Sequence, residues 1–429
     1  MKGVGFWLKI NRFGPITDAT VKFAPMLIFT GESSLGKSYV NYLIYYFIRT
    51  LFDFDISKVF PSSFESFNSK VIIKTRDIVE YFNAGVQVFM RQFLNDPELI
   101  CDVEYFLGDG ISPTYEIVYK ELRHNDIISE DRQFDLIPAS ISINNSKPYR
   151  IRYPKKFNST SFVISRFLSK HLFEDILGTN IRQCMILPPA RGAFVGENFT
   201  IKDRIGSSVG MYKLFLQDYD MSTALTNLDP DESPYKSAVE KLINGKIITE
   251  NDIQYVVLSS GRKLPLSAAA SSIKEISPLL IALQSAGRGW TMSICFEEPE
   301  AHLHPSMQVS LMDLLATCFN NGMLFQLTTH SDYIIQRLNQ LIKLNYLRQK
   351  NQEEYINVCE KHHLNDSNCL KKEDIIVYYF SKSPKKTGAV SIKRLDVEDS
   401  GFPMVSFFET VEQLTRTEDD LDNAIEKNS

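Results

Sequence analysis

Apolar and polar residues alternate strictly where the chain opens. Val4, Phe6, Leu8 and Ile10 interleave with Gly5, Trp7, Lys9 and Asn11, and this period of two predicts a half-buried strand. Asn11-Arg12-Phe13-Gly14-Pro15 predicts a turn, with a return strand over 19–23. Met26-Leu27-Ile28-Phe29-Thr30 is apolar without alternation, the pattern of a strand buried on both faces, and a helix follows from Tyr39. Over 76–95 Ile78, Val79, Phe82, Val86, Phe89, Met90 and Phe93 recur at helical spacing. Residues 101–157 read as β-rich, with Tyr115 to Tyr119 as one strand. Cys184-Met185-Ile186-Leu187 is a short strand, and Pro188-Pro189-Ala190-Arg191-Gly192 makes a turn at its end, open to a structural or a ligand-facing role. Residues 198–247 are polar with two helical stretches, one over 235–244, and read as a mobile arm.

From Ile253 onward strands and helices alternate. A helix over 272–285 carries Ile273, Ile276, Leu279, Leu280 and Leu283 on its apolar side, and a strand over 291–296 follows. Then come a helix over 305–319 with proline in its first turn, a strand over 323–327 and a helix from Tyr333. This alternation predicts a largely parallel sheet. Residues 351–370 are polar, two short strands lie over 375–380 and 389–395, and a last helix over 403–414 is expected to pack back before an acidic, frayed end.

A chain of 429 residues exceeds one simple core. The expected division is a first lobe over 1–75, an inserted helical and β-rich region over 76–182, and a strand-turn with a helical arm over 183–250. A second lobe over 251–346 and a C-terminal α/β extension over 347–429 complete it. A net charge of −5 argues against a generally basic nucleic-acid binder, so any DNA contact needs a local patch. The candidate is Lys147 to Lys156, basic with interleaved aromatics; a charged, proline-guarded edge strand is the favoured reading. Six scattered cysteines without a C-x-x-C pair suit reduced thiols in the cytoplasm. The start has no signal-peptide layout, and the most apolar helix carries Asn41 and Arg49 and is too short to span a bilayer, so a cytoplasmic protein without a membrane segment is expected. Cys359, His362, His363 and Cys369 have the composition of a small metal cluster but the spacing of no common finger, and a polar loop is the favoured reading.

The chemistry concentrates in Gly31-Glu32-Ser33-Ser34-Leu35-Gly36-Lys37-Ser38, set between an apolar strand and a helix. This is the context that the G-x-x-x-x-G-K-[ST] phosphate loop requires. Glycines let backbone N–H groups turn inward around phosphate oxygens, and the helix N-terminus adds its positive dipole. Lys37 would reach the β- and γ-phosphates, Ser38 would hold Mg²⁺, and Tyr39 would complete the nucleotide-binding stretch. The strand before Glu297-Glu298-Pro299-Glu300 makes that acidic turn a Walker B candidate, with Glu297 on Mg²⁺ and Glu298 polarising the attacking water. His330, at the end of the next strand, is placed to sense a γ-phosphate.

Together these residues resemble the ABC-type ATPases of the SMC and overcoming-lysogenization-defect group, a kind common in bacterial anti-phage systems. The matching pieces are Leu8 to Phe13, Gly31 to Ser38, Pro188 to Arg191, Leu266 to Glu275, Phe296 to Pro305, Thr328 to Asp332 and Gly401-Phe402-Pro403. Residues 60–180 match poorly. The resemblance implies an α/β fold, a P-loop NTPase of ABC-ATPase head type with a mixed sheet, flanking helices and an inserted α+β region. It implies ATP and Mg²⁺ as cofactors, sandwiched between two heads of a homodimer or higher homo-oligomer. Ser271 and Ser272, with Ser267 nearby, then form the signature that faces the other protomer's phosphate loop. His304 takes the D-loop position and His330 is the switch histidine. Ala270 and Ser272 replace the usual signature glycines, and Ser33-Ser34 stands where Asn-Gly is common, which implies slow hydrolysis; no Q-loop glutamine is placed. Relatives append a Toprim nuclease, but the residues after Asp332 carry no such pattern, and no HNH motif is present. The expected role is therefore a sensor or scaffold for a separate effector, a nuclease or toxin, with DNA as a further candidate partner. The rival expectations are an SMC-like DNA-repair ATPase and an ATP-dependent nuclease with an unrecognised site.

Overall fold

The computed structural model describes residues 3–59, 68–122, 136–154, 160–195, 210–224, 233–251, 253–286, 289–383 and 389–426. Strands β1 (Phe6–Phe13) and β2 (Ile16–Lys22) form an antiparallel pair, and alternate residues Leu8 and Ile10 of β1 are buried. β1 runs through to Phe13, so the turn is confined to Gly14 and Pro15 and is tighter than the expected five residues. β3 (Met26–Gly31) is buried at every position, and the phosphate loop leads from it into α1 (Lys37–Phe52). α1 is enclosed by core from Val40 to Ile48, as an apolar helix without a polar face must be.

After α2 (Ile56–Val59) come β4 (Asn68–Lys74) and α3 (Thr75–Leu94), which buries Ile78, Phe82, Val86, Met90 and Phe93. The β-rich region resolves into β5 (Cys101–Leu107), β6 (Thr114–Glu121), β7 (Leu136–Ile143) and β8 (Tyr149–Pro154). β5 joins the first pair in a sheet of order β2-β1-β5, while β4-β6-β7-β8 is a separate antiparallel sheet. β8, the basic-aromatic segment, is an edge strand. Its Tyr149 ring lies 5.5 Å from Phe167 and 5.7 Å below the Lys170 ammonium, so the aromatic is engaged within the chain. Lys155 and Lys156 lie outside the described residues.

α4 (Thr160–Leu177) leads to β9 (Gln183–Leu187) and α5 (Gly210–Ala224). Of the expected mobile arm over 198–247, residues 198–209 and 225–232 lie outside the described residues, and the described helix packs into the core. α5 buries Phe215, Leu216 and Tyr219, and its fully buried Asp218 accepts from Arg49 at 2.5 Å and from the Ile186 amide at 3.2 Å. α6 (Lys236–Ile243) precedes a small sheet of β10 (Gly245–Glu250), β11 (Ile253–Leu258) and β12 (Lys263–Pro265). Next come α7 (Ser271–Ser285), β13 (Met292–Glu297), α8 (Pro305–Asn320), β14 (Leu324–Thr328) and α9 (Asp332–Lys350). In α7 Pro278 has no N–H for the Lys274 carbonyl, and the Ser277 hydroxyl donates to it instead at 2.9 Å. The stretch read as polar, with a loop favoured around Cys359 to Cys369, holds α10 (Gln352–His362), and β15 (Ile375–Lys382) and β16 (Val390–Leu395) follow. The last helix, α11 (Val405–Glu426), is longer than expected, and its described part does not pack back: Val411, Leu414 and Leu421 are 41%, 64% and 59% exposed.

The sheet that positions the site has the order β16-β15-β3-β14-β13-β9. All its neighbours run parallel except β16, which is antiparallel to β15. The fold is thus α/β with a mixed sheet and flanking helices. β15, from the segment expected as an extension, lies directly beside β3. Among the described residues no helix is long and apolar enough to cross a membrane.

Candidate phosphate-binding site

Parallel strands deliver their C-terminal ends to one edge, and three neighbours of this sheet, β3, β14 and β13, end there together. β3 delivers the phosphate loop, β13 the Glu297-Glu298 turn and β14 Thr328, Thr329 and His330. The loop takes its shape from left-handed residues: Gly31 at φ 118°, Ser34 at 62° and Gly36 at 88°. A Cβ on Gly31 would meet the Phe380 carbonyl oxygen at 2.1 Å, so only glycine lets β15 close against the loop. Gly36 caps α1, leaving the helix N-terminus open to an anion.

Lys37 donates to the carbonyls of Gly31 at 3.1 Å and Glu32 at 2.6 Å, which holds its ammonium at the mouth of the loop. Burial lowers its pKa to about 8, against the pull of Glu298, Glu297, Glu300 and Glu32. Ser38 Oγ donates to Glu297 Oε2 at 2.5 Å. The same carboxylate accepts from Asn41 Nδ2 at 2.6 Å and Thr328 Oγ1 at 2.8 Å, and burial pushes its pKa up against these hydrogen bonds. A hydroxyl and a carboxylate in contact beside a phosphate cradle are hard oxygen donors of the kind Mg²⁺ takes when substrate phosphates complete its shell. Among the described residues no group of three or more His, Cys, Asp or Glu could hold a metal unaided. Ser38 and Glu297 fit a cation whose remaining ligands are phosphate oxygens and water.

Glu298 follows at φ 42°, a left-handed conformation rare outside glycine and typical of functional turns. The Thr328 carbonyl holds its amide at 3.1 Å. His330 donates its backbone N–H to Glu300 Oε1 at 2.6 Å. Burial and then Lys37 hold its imidazole below the usual histidine range, against Glu298, so the ring is neutral near pH 7. Lys37, Ser38, Glu297, Glu298 and His330 thus meet at one edge.

Other expected residues separate from this group. Leu35 is buried, Ser33 and Ser34 are exposed, and Glu32 pairs with Lys382 at 3.5 Å. The Tyr39 ring packs on Phe13 at 5.0 Å and against Gly14, away from the loop mouth. Ser271 and Ser272 open α7, the first exposed and the second half-buried, and no hydrogen bond found among the described residues ties them to the phosphate loop. His304 caps α8, accepting from the Ser306 amide at 3.3 Å. In the cysteine-histidine stretch, Cys369 is buried beside the Tyr355 hydroxyl at 3.7 Å and His363 ends α10 in the left-handed region. Asn41, Thr328 and Glu300 were not singled out in the sequence. Asn41 lies four residues beyond Lys37, one helical turn along, and that spacing was the available signal.

A family model described as AAA ATPase domain matches residues 213–335. That interval holds the Glu297-Glu298 turn, His330 and the start of α7; the phosphate loop precedes it. No curated protein matches the chain. Among solved structures it is similar to an SMC head bound to the C-winged helix domain of ScpA, at 12% identity and TM-score 0.38 over 92% of this chain and 98% of that one. It is similar also to the SMC head domain from Thermotoga maritima, at 11% identity and TM-score 0.33 over 91% and 98%. A third is the Smc head domain with an extended coiled coil bound to the C-terminal domain of ScpA derived from Pyrococcus furiosus, at 10% identity and TM-score 0.37 over 95% and 98%.

Proposed function

We propose that the chain binds and hydrolyses ATP as an ABC-type head. The observation that carries this is the contact of Ser38 with Glu297 at 2.5 Å, made at the mouth of a loop that Lys37 spans. Lys37 binds the β- and γ-phosphates, and Ser38 with Glu297 holds Mg²⁺, which when bound neutralises phosphate charge. Glu298 polarises the attacking water and accepts its proton. His330 donates to a γ-oxygen, so the loop after β14 feels whether that phosphate is present.

The exposed start of α7 supports a composite site. A helix N-terminus with serines at its first two positions offers N–H and O–H donors that its own phosphate loop does not use, and a second copy supplies the phosphate they fit. ATP then joins two heads, hydrolysis releases them, and each state presents a different surface. On the resemblance of its motifs, that surface serves a separate nuclease or toxin in anti-phage defence. The free state of all six cysteines supports a cytoplasmic setting.

Two experiments test this reading. Glu298→Gln is expected to bind ATP normally while turnover falls by about 10²–10⁴-fold, the range for loss of a general base; unchanged turnover removes Glu298 from its role. Mixing Lys37→Ala protein with a Ser271→Arg, Ser272→Arg double variant is expected to restore ATP-dependent association and some turnover, because one intact site re-forms. A mixture as inactive as its components, or full turnover in a strict monomer, refutes the composite site.

A further inference from the structure

Arg191 lies in the turn after β9 and is fully buried, an unusual place for the most persistent cation in proteins. Its guanidinium joins three pieces of chain. Nε donates to the Glu275 carbonyl at 2.8 Å, in the second turn of α7. Nη1 donates to the carbonyls of Pro188 at 3.0 Å and Glu297 at 2.8 Å, and Nη2 reaches the Glu298 carbonyl at 3.5 Å. The plane also lies 4.6 Å from the Phe296 ring centre, in the strand that carries the acidic turn. Glu275 Oε2, 3.7 Å from Nε, is buried and has no hydrogen-bond partner among the described residues, so within them this ion pair is held by packing. On one side the fork grips the backbone of the two residues that handle the cation and the attacking water. On the other it grips the helix whose first residues are Ser271 and Ser272. A planar fork transmits rotation between such partners; a flexible ammonium does not.

We propose that Arg191 is a positioning residue that couples a protomer's own phosphate site to the serine-tipped end of α7 it offers to its partner. This rests on the composite-site reading. When the left-handed turn at Glu298 adjusts to a γ-phosphate, the carbonyls of Glu297 and Glu298 move, the guanidinium follows, and the Glu275 carbonyl carries α7 with it. Filling one site therefore prepares the donors that complete the other, and turnover responds cooperatively to ATP.

The test compares wild type, Arg191→Lys and Gly192→Ala as full-length proteins. Lysine keeps the charge and gives up the fork. Gly192→Ala leaves the guanidinium intact, but its Cβ would meet the Glu275 carboxylate at 2.8 Å and the Glu275 amide at 3.1 Å, which pushes α7 away from the turn. Melting temperature, Kd for a fluorescent ATP analogue, and turnover against ATP concentration are measured for each. Wild type is examined first for ATP-dependent association; its absence overturns the composite site and this coupling together. Given association, both variants are expected to melt as folded proteins and bind the analogue within about threefold of wild type. Their kcat is expected to fall at least about tenfold and their cooperativity in ATP to disappear, within the usual range of coupling between sites. Wild-type kcat and cooperativity in folded Arg191→Lys overturn the coupling and leave the composite site standing. A parallel loss of Kd and kcat does the same, since it marks a purely structural residue. Should Arg191→Lys fail to fold, Gly192→Ala decides alone by the same two criteria.

Discussion

At the scale of single residues, Lys37 is held by two carbonyls in a place where its charge is costly, and a phosphate relieves that cost. Lys37→Ala is expected to weaken ATP binding by about 10–150-fold in a titration, since a hydrogen bond to a charged group contributes about 1.5–3 kcal/mol. The lowered pKa also has a sign. The free lysine is protonated below its pKa of about 8 and loses its proton above it, while a bound phosphate favours the charged form. ATP affinity is therefore expected to be flat below pH 7 and to fall as pH rises from 8 to 9. Affinity that stays level across that interval would show that Lys37 does not meet the phosphate. These roles were legible because glycine, lysine and serine stand at fixed offsets between a strand and a helix. Thr328 and Glu300 were not, because each acts on a residue far off in the chain and no local pattern records it, and Asn41 left only its spacing from Lys37 as a trace.

Among the elements, strands buried on both faces were the easiest to read, since β3, β13 and β14 are short apolar runs that end in chemistry. α5 was harder. Its apolar side is carried by Phe215, Leu216 and Tyr219 among many polar residues, and its burial depends on Asp218 finding Arg49. The position of β15 was illegible, because nothing in a strand's own residues names its parallel neighbour. That neighbour is β3, and the closeness is absolute at Gly31. Gly31→Ala places a methyl 2.1 Å from the Phe380 carbonyl oxygen in a conformation that disfavours it, so the variant is expected to lose ATP binding and melt at lower temperature. Wild-type binding would mean that β15 does not press on the loop. α11 is the opposite case: residues 411–425 are all exposed. Removing 411–426 is expected to leave ATP binding unchanged, and a loss of binding would show that this helix lies against the head.

Over the whole molecule, the site is assembled from segments that lie far apart in the chain. In sheet order, β16 and β15 come late, β3 is among the earliest, β14 and β13 are late, and β9 is intermediate. Glu32 already gives its amide to the carbonyl of Phe380, across most of the sequence. A ribosome makes the phosphate loop early and the strand that seats it about 350 residues later, a delay of roughly 20–70 s at about 5–20 residues per second. Until β14 is made Met26 to Gly31 has neither parallel neighbour, and until β15 is made one of its edges stays open, the kind of segment other chains pair with. The newborn chain therefore lacks a finished cradle until β15 has been made, and a chain stalled before β15 carries the glycines, the lysine and the serine without the strand that seats them.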